Sequence, residues 1–156
     1  MKAAVIWMIG LFERTPYALI AVLARAVIGL VFFNSGLTKI EGYGLKDATF
    51  FLFQEEYKVP LISPVVAAYL ATFAELTMPW LLWLGLGARF AALALLGMTA
   101  VIQTFVYPEA YVTHGLWAVA LLMIIKFGAG AISIDALVRS RVEVGGHFAR
   151  LSSARW

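Results

Sequence analysis

Residues 17–38 read YALIAVLARAVIGLVFFNSGLT. One charge, Arg25, interrupts an otherwise apolar or small-residue run. A helix of about 20 residues crosses the hydrocarbon core of a bilayer, and this run is long enough to do so. Working outward, three more runs of that kind follow: Pro64 to Leu86, Arg89 to Tyr107 and Val112 to Ile134. Lipid cannot satisfy open backbone groups, and four short segments cannot close a barrel, so all four are expected to be helices. Composition points the same way. The 156-residue chain is 63% hydrophobic and 13% charged, with a mean hydropathy of +0.90. Soluble domains run about 45–50% apolar and about 25% charged. A water-soluble globule, a disordered chain, a nucleic-acid platform and a disulfide scaffold are all excluded. The chain has no cysteine, so by itself it offers no thiolate nucleophile, redox pair or iron–sulfur ligand set.

The expected architecture is all-α: an integral membrane four-helix bundle over 17–138. An N-terminal segment, 1–16, precedes it. Its ten-residue apolar run is too short to span, and it reads as an interfacial helix, with a processed leader as the alternative. A basic tail, 139–156, follows. GLGA at 85–88 is a tight turn, so spans two and three should be antiparallel neighbours, and PEAY at 108–111 is a second short turn. In the longer first loop, DATFFLFQEEY at 47–57 reads as a short capping helix that Pro60 terminates. Lys2, Arg14, Arg89, Arg139, Arg141, Arg150 and Arg155 fall on one side. Lys39, Lys46 and Lys58 fall on the other, offset by Glu41, Asp47, Glu55 and Glu56. The positive-inside rule places both termini in the cytoplasm.

Ionisable groups within a spanning helix are costly and usually face the bundle interior. Arg25, Glu75 and Lys126 are the clear cases. From the expected helix ends, Arg25 and Lys126 each lie roughly 12 Å deep and Glu75 roughly 16 Å. These depths make one layer, in which Arg25 should meet Glu75. Stripes support the faces: Arg25, Gly29, Phe32, Gly36 and Lys39 on span one, and Ala68, Thr72, Glu75 and Pro79 on span two. Pro79 also removes the helical partner of the Glu75 carbonyl. The group reads in three ways: an ion pair fixing helix register, a site for a quinone or an anion, or a proton path. Lys126 could instead snorkel to the interface. Lys39 and His114 are further ligand candidates, against roles as interfacial anchors. Arg89 and Asp135 are expected to form a structural ion pair. A lone interfacial histidine is no metal site, and GAG at 128–130 reads as a helix exit. No nucleophile elbow is present, so a hydrolase is not expected.

These residues carry a resemblance. Arg25, Gly29 and NSGLTK at 34–39 resemble the first-helix signature of the DoxX family of small bacterial membrane proteins. YKVP at 57–60, AEL at 74–76 and LGLGAR at 84–89 continue it. Tyr107, Pro108, His114, Trp117 and GAGAISID at 128–135 complete it. Ala129 departs from the family's usual proline after the first glycine. The resemblance implies a four-helix inner-membrane protein of bacteria with cytoplasmic ends. Some relatives are tied to a membrane thiosulfate:quinone oxidoreductase. The leading functional expectation is therefore a subunit of a quinone-linked oxidoreductase complex that binds quinone or anchors a redox partner, with no covalent or metal-ligated cofactor. Its partners would be lipid and other subunits or further copies of itself, not nucleic acid. The rivals are a structural or assembly subunit, and a small transporter of an organic or sulfur anion.

Overall fold

The computed structural model describes residues 15–142, together with Trp7 and Gly10. The expected interfacial helix over 1–16 and the basic tail beyond 142 therefore lie mostly outside the described residues. The chain begins with α1 (Tyr17–Thr38) and a two-stranded hairpin, β1 (Ile40–Glu41) and β2 (Gly44–Leu45). It continues through α2 (Asp47–Phe51) and α3 (Pro64–Leu84) to α4 (Ala88–Val101) and α5 (Tyr111–Phe127). Two helices end in widened i→i+5 turns: α2 over Leu52–Tyr57 and α4 over Ile102–Val106. A 3-10 turn, Pro108–Ala110, leads into α5, and residues 134–142 are again helical. Among the described residues, four helices are long and apolar enough to cross a membrane: Tyr17–Thr38, Pro64–Leu84, Ala88–Val106 and Pro108–Phe127.

The first span has the expected limits, and the next two differ from expectation by one or two residues. The fourth is shorter, ending at Phe127 and not Ile134. The segment after it is apolar, so hydropathy alone runs through it. Backbone geometry stops the helix, because Gly128 and Gly130 take φ values of 84° and 81°, where side-chain-bearing residues are strained. The hairpin in the first loop was not among the sequence expectations.

Polarity is arranged inside out. Arg25, Lys39, Thr72, Glu75, Thr99 and His114 are buried, while Leu23, Val27, Phe73, Trp80, Leu93 and Leu122 stand exposed. Such a surface suits lipid, which makes no hydrophobic distinction between a helix's two faces. Close backbone approach must then fix the packing. On α1, a Cβ at Gly29 would collide with the Trp83 indole, and one at Gly36 would meet Leu76 and Glu75. On α4, Ala88, Ala91 and Ala92 are wholly buried.

The start of α1, the α3–α4 turn and residues 128–135 meet at one end of the bundle, here termed the base. The hairpin, α2 and the Pro108–Ala110 turn close the opposite end, the roof. At the base the connection is fastened by polar groups. The Tyr17 hydroxyl donates to the Gly128 carbonyl at 2.8 Å. The Asp135 amide donates to the Gly85 carbonyl at 2.9 Å. Ser133 Oγ donates to the Gly130 carbonyl at 2.6 Å and accepts from the Ala136 amide at 3.1 Å, capping the helix over 134–142.

If contact between α1 and α3 depends on the absent side chain at position 29, Gly29→Leu should destabilise the bundle by about 1–3 kcal/mol. Thermal unfolding in detergent measures this. A melting temperature equal to that of the parent would show that the contact is dispensable.

Candidate functional site

The expected Arg25–Glu75 contact is not formed. Arg25 faces the base, where its guanidinium donates to three backbone carbonyls. Nε reaches Ala21 at 3.3 Å, Nη1 reaches Leu82 at 3.3 Å and Nη2 reaches Ile132 at 2.6 Å. Glu75 lies seven residues from Leu82, roughly 10 Å farther along α3. The depth estimate assumed that the two helices end level. Arg25 instead reaches the last turn of α3, so the start of α1 overhangs the end of α3. Residues 128–135 fill the space beside that overhang.

Two further expectations are corrected at the base. Lys126 does not lie in the buried layer. With α5 ending at Phe127, it is in the last turn and exposed, its ammonium 5.0 Å from the centre of the Phe127 ring. Arg89 and Asp135 do not form an ion pair. The Asp135 carboxylate accepts from the Gly87 amide at 2.8 Å and the Ala88 amide at 3.1 Å. It thereby caps α4 from outside that helix, where a carboxylate also meets the positive end of the helix dipole. The Arg89 side chain lies near Gly128.

The buried ion pair is Lys39 with Glu75. Lys39 Nζ donates to Glu75 Oε1 at 2.9 Å and Oε2 at 2.7 Å. It also lies 3.1 Å from Ser35 Oγ and 3.3 Å from the Ser35 carbonyl. The Ser35 hydroxyl donates to Glu75 Oε1 at 3.1 Å. The two charged side chains are 7% and 4% exposed, and this is the ion pair found among the described residues. Lys39 is the C-cap of α1, where a cation is favoured and can bond a carbonyl of the last turn. The Lys39 carbonyl in turn accepts from Thr49 Oγ1 of α2 at 2.9 Å and from the Lys46 amide at 3.0 Å. The pair is thus tied to α3 on one side and to the roof on the other.

Beside it lies a cavity of about 270 Å³ with mostly apolar walls. Ser35, Lys39, Glu75 and His114 give it polar points, and Phe32, Phe53, Met98 and Trp117 line much of the rest. Both widened turns contribute walls, through Phe53 and Tyr57 and through Ile102 and Val106. Such turns recur at functional sites because the extra residue redirects the side chains around it. Leu70 and Val101 line the cavity and are also exposed on the flank of the bundle, at 57% and 38%. Ile62 and Tyr107, at the roof, line it as well and are also exposed. His114 is buried, with Nδ1 2.7 Å from Gln103 Oε1 and its ring 5.0 Å from that of Trp117.

Of the five expected ligand residues, the structure brings together Lys39, Glu75 and His114 and places Arg25 and Lys126 elsewhere. Ser35, Tyr57 and Gln103 were not among the expected site residues. Ser35 lies within the quoted NSGLTK stretch, one turn before Lys39, and that spacing was the available signal. The signal for Gln103 was its place on the Thr99 face of the third span. Nothing in the sequence marks the widened turns.

The chain matches the DoxX family over residues 20–108. It is 30% identical over 125 residues to an uncharacterised protein of Haemophilus influenzae, covering 74% of this chain and 80% of that protein. No solved structure matches it.

Two predictions follow from the site's electrostatics. Removing one partner of a buried pair strands the other charge, at a cost of about 3–5 kcal/mol. Lys39→Met and Glu75→Leu should each lower the melting temperature sharply, and the double variant should recover most of the loss. Additive losses would mean that the two side chains act separately. The second prediction concerns Tyr57, outside the spans. Burial, and then the neighbouring Tyr107, raise its pKa above the ordinary phenol value. Folding therefore favours the neutral phenol. Its stabilisation is complete below about pH 10 and is lost as pH rises further. In an alkaline absorbance titration, Tyr57→Phe should remove a phenol that ionises well above the ordinary range. Loss of an ordinary phenol would refute this. These features, a four-span helical bundle and a sequence match over more than half its length, make the chain a membrane protein of the DoxX family.

Proposed function

We propose that this protein is a membrane-embedded component of a quinone-linked redox system, binding the ring of a membrane quinone in the roof cavity. The observation that carries this reading is a mostly apolar cavity, inside a bundle whose outer face suits lipid, beside a charge pair that neutralises itself. The volume is at the small end for ligand sites. It suits an aromatic head group whose tail remains in the bilayer. Ser35, Lys39, Glu75 and His114 are the polar points against which such a ring would orient. Electrons would be exchanged with a partner subunit or carried away by the quinone itself. The excess of Arg on the base side supports a bacterial inner-membrane location with that side cytoplasmic.

The anion-transporter alternative rested on surplus positive charge inside the bundle. That surplus is absent from the cavity: Lys39 is matched by Glu75, Arg25 is spent on carbonyls at the base, and Lys126 is exposed. The structural-subunit alternative leaves the cavity without a role.

The test uses protein in nanodiscs and a short-tailed quinone, read by quenching of tryptophan fluorescence. A saturable component is expected, with Trp117 in the cavity wall. Ala71→Phe, which fills the cavity, should abolish that component while the protein remains folded. Quenching that follows lipid partition equally in both proteins would reject the proposal.

A further inference from the structure

The roof cavity contains a histidine whose protonation pattern is set by its neighbours. Gln103 Nε2 lies 2.7 Å from the Pro108 carbonyl. A carbonyl oxygen only accepts, so the amide must present its nitrogen there. Its oxygen then faces His114 Nδ1, at 2.7 Å. That oxygen also only accepts, so Nδ1 carries the hydrogen. In the neutral ring, Nε2 is left as a bare acceptor. Nε2 has no hydrogen-bond partner among the described residues, yet no fully enclosed side-chain nitrogen or oxygen among them is left unpaired. The cavity that His114 lines is the space that Nε2 can reach.

The opposite polar wall offers little to a carbonyl. The Lys39 ammonium is engaged by both Glu75 oxygens and by Ser35, and the Ser35 hydroxyl is given to Glu75. An acceptor is open at His114, while the donors at Lys39 and Ser35 are spent and the two phenols in the wall, Tyr57 and Tyr107, face each other edge to face at 5.9 Å. A ligand that enclosed Nε2 without bonding it would strand an acceptor at a cost, so the site favours a ligand that brings a hydrogen.

On the reading of this cavity as a quinone site, we infer that His114 selects the hydroxyl-bearing, reduced ring by accepting a hydrogen bond at Nε2. Gln103 is the positioning residue that fixes the tautomer, and Pro108 in turn orients Gln103. The ligand class is a hydroquinone or similar phenol, bound in preference to the carbonyl form.

Three probes with the same short tail test this in nanodiscs: a hydroquinone kept reduced without oxygen, the corresponding quinone, and the hydroquinone's dimethyl ether. The hydroquinone should bind about tenfold more tightly than either of the others, as one hydrogen bond allows. His114→Phe should bring it down to their level. Gln103→Leu should do the same. Nitrogen NMR on labelled histidine, in a His147→Gln background that leaves one histidine, should show the hydrogen on Nδ1 in the parent. Gln103→Leu should replace this with a tautomer mixture. Equal binding of the three probes, or a hydrogen on Nε2, overturns this inference and leaves the quinone reading standing. No saturable binding of any probe overturns both.

Discussion

Lys39 and Glu75 must find each other because neither can find water. A lone carboxylate within a spanning helix would be driven to neutralise or to leave the bundle interior. Together, the two groups cancel their charges and occupy each other's hydrogen-bonding capacity, with Ser35 completing the set. Their geometry fixes how α1 slides along α3, since only one register brings the end of α1 opposite position 75. It also fixes the roof, because the Lys39 carbonyl anchors α2 through Thr49. The cavity lies beside this polar knot, between the helices and the roof that the knot holds in place.

The base follows a different rule. There a full charge, Arg25, is held by carbonyl dipoles, and a full negative charge, Asp135, is held by amides at the start of α4. Backbone groups freed at helix ends serve as the counter-ions. Two buried cations on the same helix therefore do different things. Arg25 holds the return of the chain, and Lys39 borders the cavity.

The spans were legible because lipid imposes length and apolarity together, and Pro16 and Lys39 flank the first of them on either side. The family was legible from an ordered set of short motifs. Register was not, because two apolar helices can slide past each other without exposing anything that lipid would reject. The Lys39–Glu75 pair settles it together with bulk, through Trp83 over Gly29 and Leu76 over Gly36, and those contacts are encoded in pairs of residues on different helices. The end of α5 was hidden for a related reason. Hydropathy continues through residues 128–134, while the backbone turns at two glycines. Lys126 was placed too deep by that overshoot. The Lys39–Glu75 pair was within reach, since both residues had been singled out, but the assumed level ends of α1 and α3 favoured Arg25.

Arg25 also constrains the order of events as the chain is made. It enters the bilayer with the first segment to span it, yet its carbonyl acceptors on other segments lie 57 and 107 residues later in the chain. Until the stretch around Ile132 has been synthesised, that guanidinium must keep to water or headgroups, and the first segment cannot settle at its final depth. Completion of the bundle is thus timed by its last return, and a nascent chain halted after three spans would hold an arginine still waiting for its final acceptor.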